Sequence, residues 1–166
     1  MWEMLMTVVI AIVAVVLGVF AAYEFLFFII SVGCRLLRPT KRVLAKPQTK
    51  FGIIIPAHNE ELLVGGLIDS IRRSNYPSSL CEIMVIADNC NDRTAEIARA
   101  RGALAFERAD VVNRGKPYAL QWLLQQIDLN AFDAFVIIDA DTVVDSDFLT
   151  VMNTSLLDGE KVIQGY

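Results

Sequence analysis

Hydrophobic and polar positions divide the chain into two regions of different character. From Met4 to Tyr23 no charged residue occurs, Glu24 then stands alone, and residues 25–34 are apolar again. Twenty helical residues span about 30 Å, the hydrocarbon thickness of a bilayer. The pattern predicts one transmembrane helix within residues 1–34, with Glu24 near its exit and residues 25–30 along the interface. A cleaved signal peptide would need a basic start, a shorter apolar run and a small-residue cleavage site, none of which is present. A functional intramembrane acid is the other reading of Glu24; a carboxylate this close to a helix end is expected to reach headgroup water instead.

Beyond residue 34 the pattern changes twice. Residues 35–49 carry Arg35, Arg38, Lys41, Arg42 and Lys46, with Lys50 following, and the prolines Pro39 and Pro47 stop a continuing helix. This stretch is expected to be a basic juxtamembrane linker. No Lys or Arg precedes the helix, so the positive-inside rule puts everything after it in the cytoplasm. From residue 50 to 166, short apolar runs alternate with amphipathic stretches. Strands are expected at residues 51–56, 82–87, 104–107, 135–138 and 162–164. Helices are expected at 60–74, 93–101, 117–129 and 146–157. Asn91 or Asp92 would cap the second of these helices and Gly102 would close it, and Pro117 would open the third. Strands apolar on both faces and separated by helices imply an α/β fold with a mostly parallel, covered sheet.

Composition narrows the function classes. Of the 166 residues 55% are hydrophobic, and the formal net charge is -4. An acidic balance argues against a binder of nucleic-acid backbones, which present a basic face. Cys34, Cys81 and Cys90 show no paired spacing and read as reduced thiols. With one histidine, His58, a multi-histidine metal centre is excluded.

Polar residues gather where strands end, the edge at which parallel α/β sheets bind ligands. After the first strand come Ala57, His58, Asn59 and Glu60; after the second, Asp88, Asn89 and Asn91. Before the third helix stand Asn113, Arg114, Gly115 and Lys116, and after the fourth strand Asp139, Ala140 and Asp141. Each cluster alone reads equally well as a turn or cap; four on one edge point to a site. Asp139 and Asp141 put two carboxylates on one short turn. Hard oxygen donors suit Mg2+ or Mn2+, which complete their shells with water and substrate phosphates. The plainer reading is that Asp141 or Asp145 caps the next helix. Asp88 suits a base or ribose, or an Asx-turn with Asn89. Lys116 at a helix start suits an anion, or is simply solvated. His58 is expected at the pocket rim, with nothing nearby to orient it as a base.

The ordered series Ile53-Ile54-Ile55-Pro56-Ala57-His58-Asn59-Glu60, Val85-Ile86-Ala87-Asp88-Asn89-Cys90-Asn91-Asp92-Arg93-Thr94, Arg114-Gly115-Lys116 and Ile137-Ile138-Asp139-Ala140-Asp141 resembles the inverting family-two glycosyltransferases, from about residue 51 onward. The anchor helix resembles their polysaccharide-synthase branch. The resemblance implies a GT-A fold, a Rossmann-like sheet binding a nucleotide-diphosphate sugar, with a UDP-sugar expected. It implies that Pro56, Ala57 and Glu60 line the nucleoside pocket and that Asp88 contacts base or ribose. It further implies Lys116 near the donor phosphates, Asp139 on the nucleotide and Asp141 as the principal metal ligand, with Asp139 beside it. The implied reaction is hexosyl transfer to the hydroxyl of a saccharide or lipid-linked acceptor, at the membrane. Family members carry their general base beyond the position of Tyr166, so no catalytic residue is assigned here, and the chain alone is expected to be an inactive fragment. Two other readings remain at this point: a silent membrane-tethered nucleotide-binding module, and a receiver-like domain with Asp88 or Asp139 as phosphate acceptor.

Overall fold

The computed structural model describes residues 1–37 and 43–165. Arg38, Pro39, Lys41 and Arg42, counted above in the linker, and Tyr166 lie outside the described residues. The chain divides into two compact units, Met1–Val43 and Leu44–Tyr166.

The first unit contains α1 (Trp2–Leu37), one uninterrupted helix. Glu24 does not break it: glutamate is a good helix former, and nothing around it supplies a stop signal. The segment Trp2–Cys34 is long and apolar enough to cross a membrane. Its large apolar side chains are exposed along its whole length, as a lipid-facing helix requires.

The second unit is built from β1 (Phe51–Ala57), α2 (Val64–Arg72), β2 (Cys81–Asp88), α3 (Thr94–Ala100), β3 (Leu104–Arg108), α4 (Lys116–Leu124), β4 (Ala134–Ile137) and α5 (Phe148–Leu157). The strands form a parallel sheet in the order β3-β2-β1-β4. Alternation along the strands builds two cores. Phe51, Ile53, Ile55, Ile83 and Val85 face Leu67, Ile68, Ala98 and Leu149 from α2, α3 and α5. Ile54, Met84 and Ile86 face Ala119 and Leu123 of α4 on the other side. Gly52 is opposite Phe135 in the ladder, and a Cβ there would lie 2.7 Å from the Phe135 ring. Only glycine lets this ring lie across the strand.

The helix expected at residues 117–129 ends at Leu124, and the second unit differs from the sequence expectation in three further places. The stretch expected as a fifth strand, residues 162–164, forms no ladder; Val162 is exposed, and residues 161–163 lie along a groove beside β4. A β-prone triplet without ladder partners has nothing to fix it as a strand. The helix expected from residue 60 is regular only from Val64: residues 60–63 form a turn closed by the Leu63 and Val64 amides on the Glu60 carbonyl, and the amides of Glu60 and Glu61 donate to Thr94 Oγ1 and Asp92 Oδ2. The linker is also shorter than read, since residues 44–49 belong to this unit. Asn153, fully buried on α5, holds them: its Oδ1 accepts from the amides of Gln48 and Thr49 at 3.1 Å and the Thr49 hydroxyl at 2.9 Å. Its Nδ2 donates to the Lys46 carbonyl at 3.1 Å. Asn153→Ala strands these buried donors together. We expect a loss of about 2–4 kcal/mol in folding stability, the cost of several orphaned polar groups. Urea unfolding of the full chain in detergent, followed by fluorescence, measures it; a loss within error of zero would contradict this role.

Candidate functional site

β2 and β3 lie to one side of β1 and β4 to the other, so the direction of winding reverses at β1. A crevice forms beyond the carboxyl ends of the strands at such a reversal. Pro56 helps to open it. The carbonyl of Ile54 accepts from the amide of Ile138, so this parity of β1 faces β4. Pro56 has the same parity and no N–H, and the ladder to β4 ends there. The resulting cleft has a volume of about 630 Å³.

The cleft collects most of the residues singled out from the sequence. Pro56, Ala57, His58 and Glu60 line it from the end of β1, and Asp88, Asn89 and Asn91 from the end of β2. Arg114, Gly115 and Lys116 line it from the start of α4, and Asp139 from the end of β4. Asp141 is not among its lining; it sits exposed two residues further on the turn. Asp145 makes the turn before α5, accepting from the Asp147 amide at 3.0 Å, while the cap position of that helix is Asp147 itself.

Two asparagines in left-handed backbone stitch the loops together. Asn59 (φ 56°) and Asn89 (φ 52°) occupy a conformation that asparagine tolerates better than most residues. Asn59 Oδ1 accepts from the Asn91 amide, and Asn89 Oδ1 from the Asp110 amide, both at 2.9 Å. The loops after β1, β2 and β3 are thus tied in series. His58 is oriented after all: its Nδ1 lies 2.7 Å from the Asp88 carbonyl. With Nδ1 donating there, a neutral ring presents Nε2 as its acceptor. Cys90 accepts from the Asn59 amide at 3.3 Å; burial pushes its thiol up, as it pushes Cys81 up to about 11, so both are inert neutral thiols.

The charged groups fall into two sets. At the sheet end, Asp88 is buried, and its Oδ1 takes Arg108 at 2.6 Å and Asn89 Nδ2 at 3.0 Å. Its Oδ2 has no hydrogen bond from any described residue, leaving an acceptor at the cleft. Arg108, which sequence reasoning passed over, is itself buried and also reaches Asp110 Oδ2. Its signal in the sequence was a cation at the end of a strand beside one ending in Asp88. Across the cleft, Lys116 Nζ donates to Asp139 Oδ1 at 2.5 Å, both side chains being largely exposed. Gly115 precedes α4 at φ 102°, a value few other residues adopt, and so sets the direction in which Lys116 enters the helix.

Two carboxyls of the loops are held below their usual value. Burial would raise Asp92, but hydrogen bonds from the Thr94 hydroxyl and amide and the Glu61 amide outweigh it. Hydrogen bonds from the backbone and side chain of Asn113 and the amide of Val112 lower Asp110. Depressed carboxyls stabilise the fold above the ordinary carboxylate range and cease to do so as pH falls through their lowered values. These loop ties therefore persist across neutral pH.

No group of three or more His, Cys, Asp or Glu side chains able to hold a metal occurs among the described residues. Asp139 and Asp141 are hard oxygen donors next to the cleft, and one already binds a cation, the Lys116 ammonium. They fit a metal that takes one or two carboxylates and fills its shell with water and phosphates.

A switch-point cleft with a lysine and an arginine at a helix start and carboxylates at two strand ends is where open α/β sheets take anionic ligands. The family described as glycosyl transferase family 2 matches residues 52–165, and the chain belongs to it. The chain is 32% identical over 140 residues to a 4,4'-diaponeurosporenoate glycosyltransferase of Staphylococcus aureus, across 79% of this chain and 36% of that protein. It thus spans about a third of this relative's length. Among solved structures, the mannosyltransferase PcManGT from Pyrobaculum calidifontis, in complex with GDP-Man and Mn2+, superposes with a TM-score of 0.61 at 22% identity. The match covers 78% of this chain and 39% of that one, and shows the shared fold. Glucosyl-3-phosphoglycerate synthase from Mycobacterium tuberculosis, in complex with UDP, gives a TM-score of 0.54 at 27% identity over 68% of this chain and 41% of that one. The sheet is thus the GT-A type expected, and family membership sets the receiver-like reading aside.

Proposed function

We propose that this chain supplies the donor-binding and metal-binding part of an inverting glycosyltransferase anchored by α1 and working at the cytoplasmic face of a membrane. The observation that carries the reading is one cleft lined by Asp88, Lys116 and Asp139 at the point where the sheet reverses. The donor is a nucleotide-diphosphate sugar, with a UDP-sugar first. Pro56, Ala57 and Glu60 border the nucleoside, Asp88 accepts from base or ribose, and Lys116 meets the diphosphate. Asp141 is the principal ligand of Mg2+ or Mn2+, with Asp139 beside it. A divalent ion held there would neutralise charge developing on the leaving diphosphate. The acceptor hydroxyl belongs to a saccharide or lipid-linked molecule and attacks the anomeric carbon in line. Residues 1–34 span the membrane, a short basic linker follows, and the donor-binding part runs from residue 44 to 166.

The Lys116–Asp139 pair supports a coupled site. Without donor, the ammonium sits on a carboxylate that the metal needs. Donor phosphates would draw the lysine away and free Asp139, with Asp141, to hold a divalent ion that would offset the charge of the diphosphate. A displacement screen of UDP- and GDP-sugars against the full chain in detergent, with Mn2+ or with EDTA, tests the reading. Binding of at least one sugar nucleotide, tighter with Mn2+, is expected; no binding of any would overturn it.

The topology has its own test. In a Cys34→Ser background, a Gln48→Cys chain is treated in sealed cells with a membrane-impermeant maleimide. Position 48 is exposed on the second unit. Labelling only after lysis is expected from the one-sided count of basic residues. Labelling of intact cells would reverse the orientation.

A further inference from the structure

We propose that Arg108 is the positioning residue of the cleft, one buried guanidinium that sets the nucleoside side and the phosphate side together. This rests on the reading of the cleft as a nucleoside-diphosphate site. The side chain of Arg108 is 5% exposed. Nη1 donates to Asp88 Oδ1 at 2.6 Å. Nη2 donates to Asp110 Oδ2 at 2.9 Å and to the Asn113 carbonyl at 2.7 Å. The first partner lines the cleft itself. The last belongs to the peptide that leads directly into Arg114, Gly115 and Lys116, which line the opposite wall.

The turn between them is made by Asp110, whose Oδ1 accepts from the amides of Val112 and Asn113 at 2.9 Å. Its Oδ2 faces Arg108. The same residue is tied back through its amide to Asn89, beside Asp88. A rigid frame therefore runs from Asp88 through Arg108 and Asp110 to Asn113. The planar fork of arginine serves acceptors in separate directions from one buried position, whereas lysine offers a single point charge. β3 is an edge strand, and the sheet alone does not require a buried cation at its end.

The test uses the full chain in detergent, with uridine, guanosine, UDP, GDP and inorganic pyrophosphate as probes. Arg108→Lys is expected to weaken both the nucleosides and pyrophosphate on the order of tenfold, the scale of coupling within one hydrogen-bond network. Asp110→Asn keeps the oxygen that makes the turn and puts an amide NH2, which cannot accept, where the other oxygen faced Arg108. It is expected to weaken pyrophosphate in a chain that still folds, and it decides the matter if Arg108→Lys fails to fold. In an Arg114→Ala, Lys116→Ala background, the pyrophosphate effect of either change should disappear, because it acts through those two residues. A purely structural pair would instead lower the melting temperature and leave probe affinities unchanged, or give losses that add in the double background; either result overturns the proposal. If the unmutated chain binds neither UDP nor GDP, the cleft reading falls first and the role of Arg108 with it.

Discussion

Asp88→Ala should weaken UDP or GDP binding by about 10- to 100-fold, the scale of a hydrogen bond to a charged group, and should do so equally in EDTA. The metal is irrelevant to this loss because the contact proposed is to the nucleoside. Orphaning a buried charge typically costs about 3–5 kcal/mol of folding stability. Arg108 keeps Asp110 and the Asn113 carbonyl, so the lower end of that range, about 3 kcal/mol, is expected. Asp88→Asn separates the two effects. Its amide oxygen still accepts from Arg108, so the fold should be largely retained while the charged acceptor at the cleft is lost. Calorimetric titration of both variants, beside their urea unfolding, reads both quantities. A folded Asp88→Asn chain with an unchanged nucleotide Kd in EDTA would remove Asp88 from the nucleoside site.

Much of the fold could be read from short-range pattern. The run of isoleucines at 53–55 is apolar on both faces, and only a central strand has a use for that. Gly102, at φ 77° after α3, was marked by the end of the helical stripe. The strand-end clusters were legible because parallel topology sends every such loop to one edge. What escaped depends on partners distant in sequence. Residues 44–49 look like linker until Asn153, about a hundred positions away, is seen to take their amides. The turn before α2 is tied to Thr94 and Asp92, more than thirty positions on. His58 acquires its orienting carbonyl only once β1 and β2 are paired. Arg108 sits in Glu107-Arg108-Ala109-Asp110, which reads as a solvated charged strand end; its burial follows from the carboxylate opposite it on β2. Asp141 is the reverse case, prominent in the sequence yet outside the cleft lining, because the turn after β4 carries it past the rim.

That placement puts the proposed metal at the rim of the cleft. Asp139 and Asp141 repel unless a cation lies between or beside them, and Lys116 now meets half of that need. Metal alone must compete with the ammonium, and donor alone must approach two carboxylates. Together they relieve each other, so Mn2+ should tighten UDP-sugar or GDP-sugar binding on the order of tenfold, and donor should tighten Mn2+ by the same factor, since coupling is reciprocal. Asp141→Asn should abolish most of this coupling with the fold intact. Asp139→Asn should cost less in metal affinity and more in nucleotide affinity. Titration of the full chain in detergent with donor at saturating Mn2+ and again in EDTA measures the coupling directly. A ratio near ten that collapses in Asp141→Asn is the predicted result; equal donor affinity in the two conditions would contradict the metal-assisted donor site.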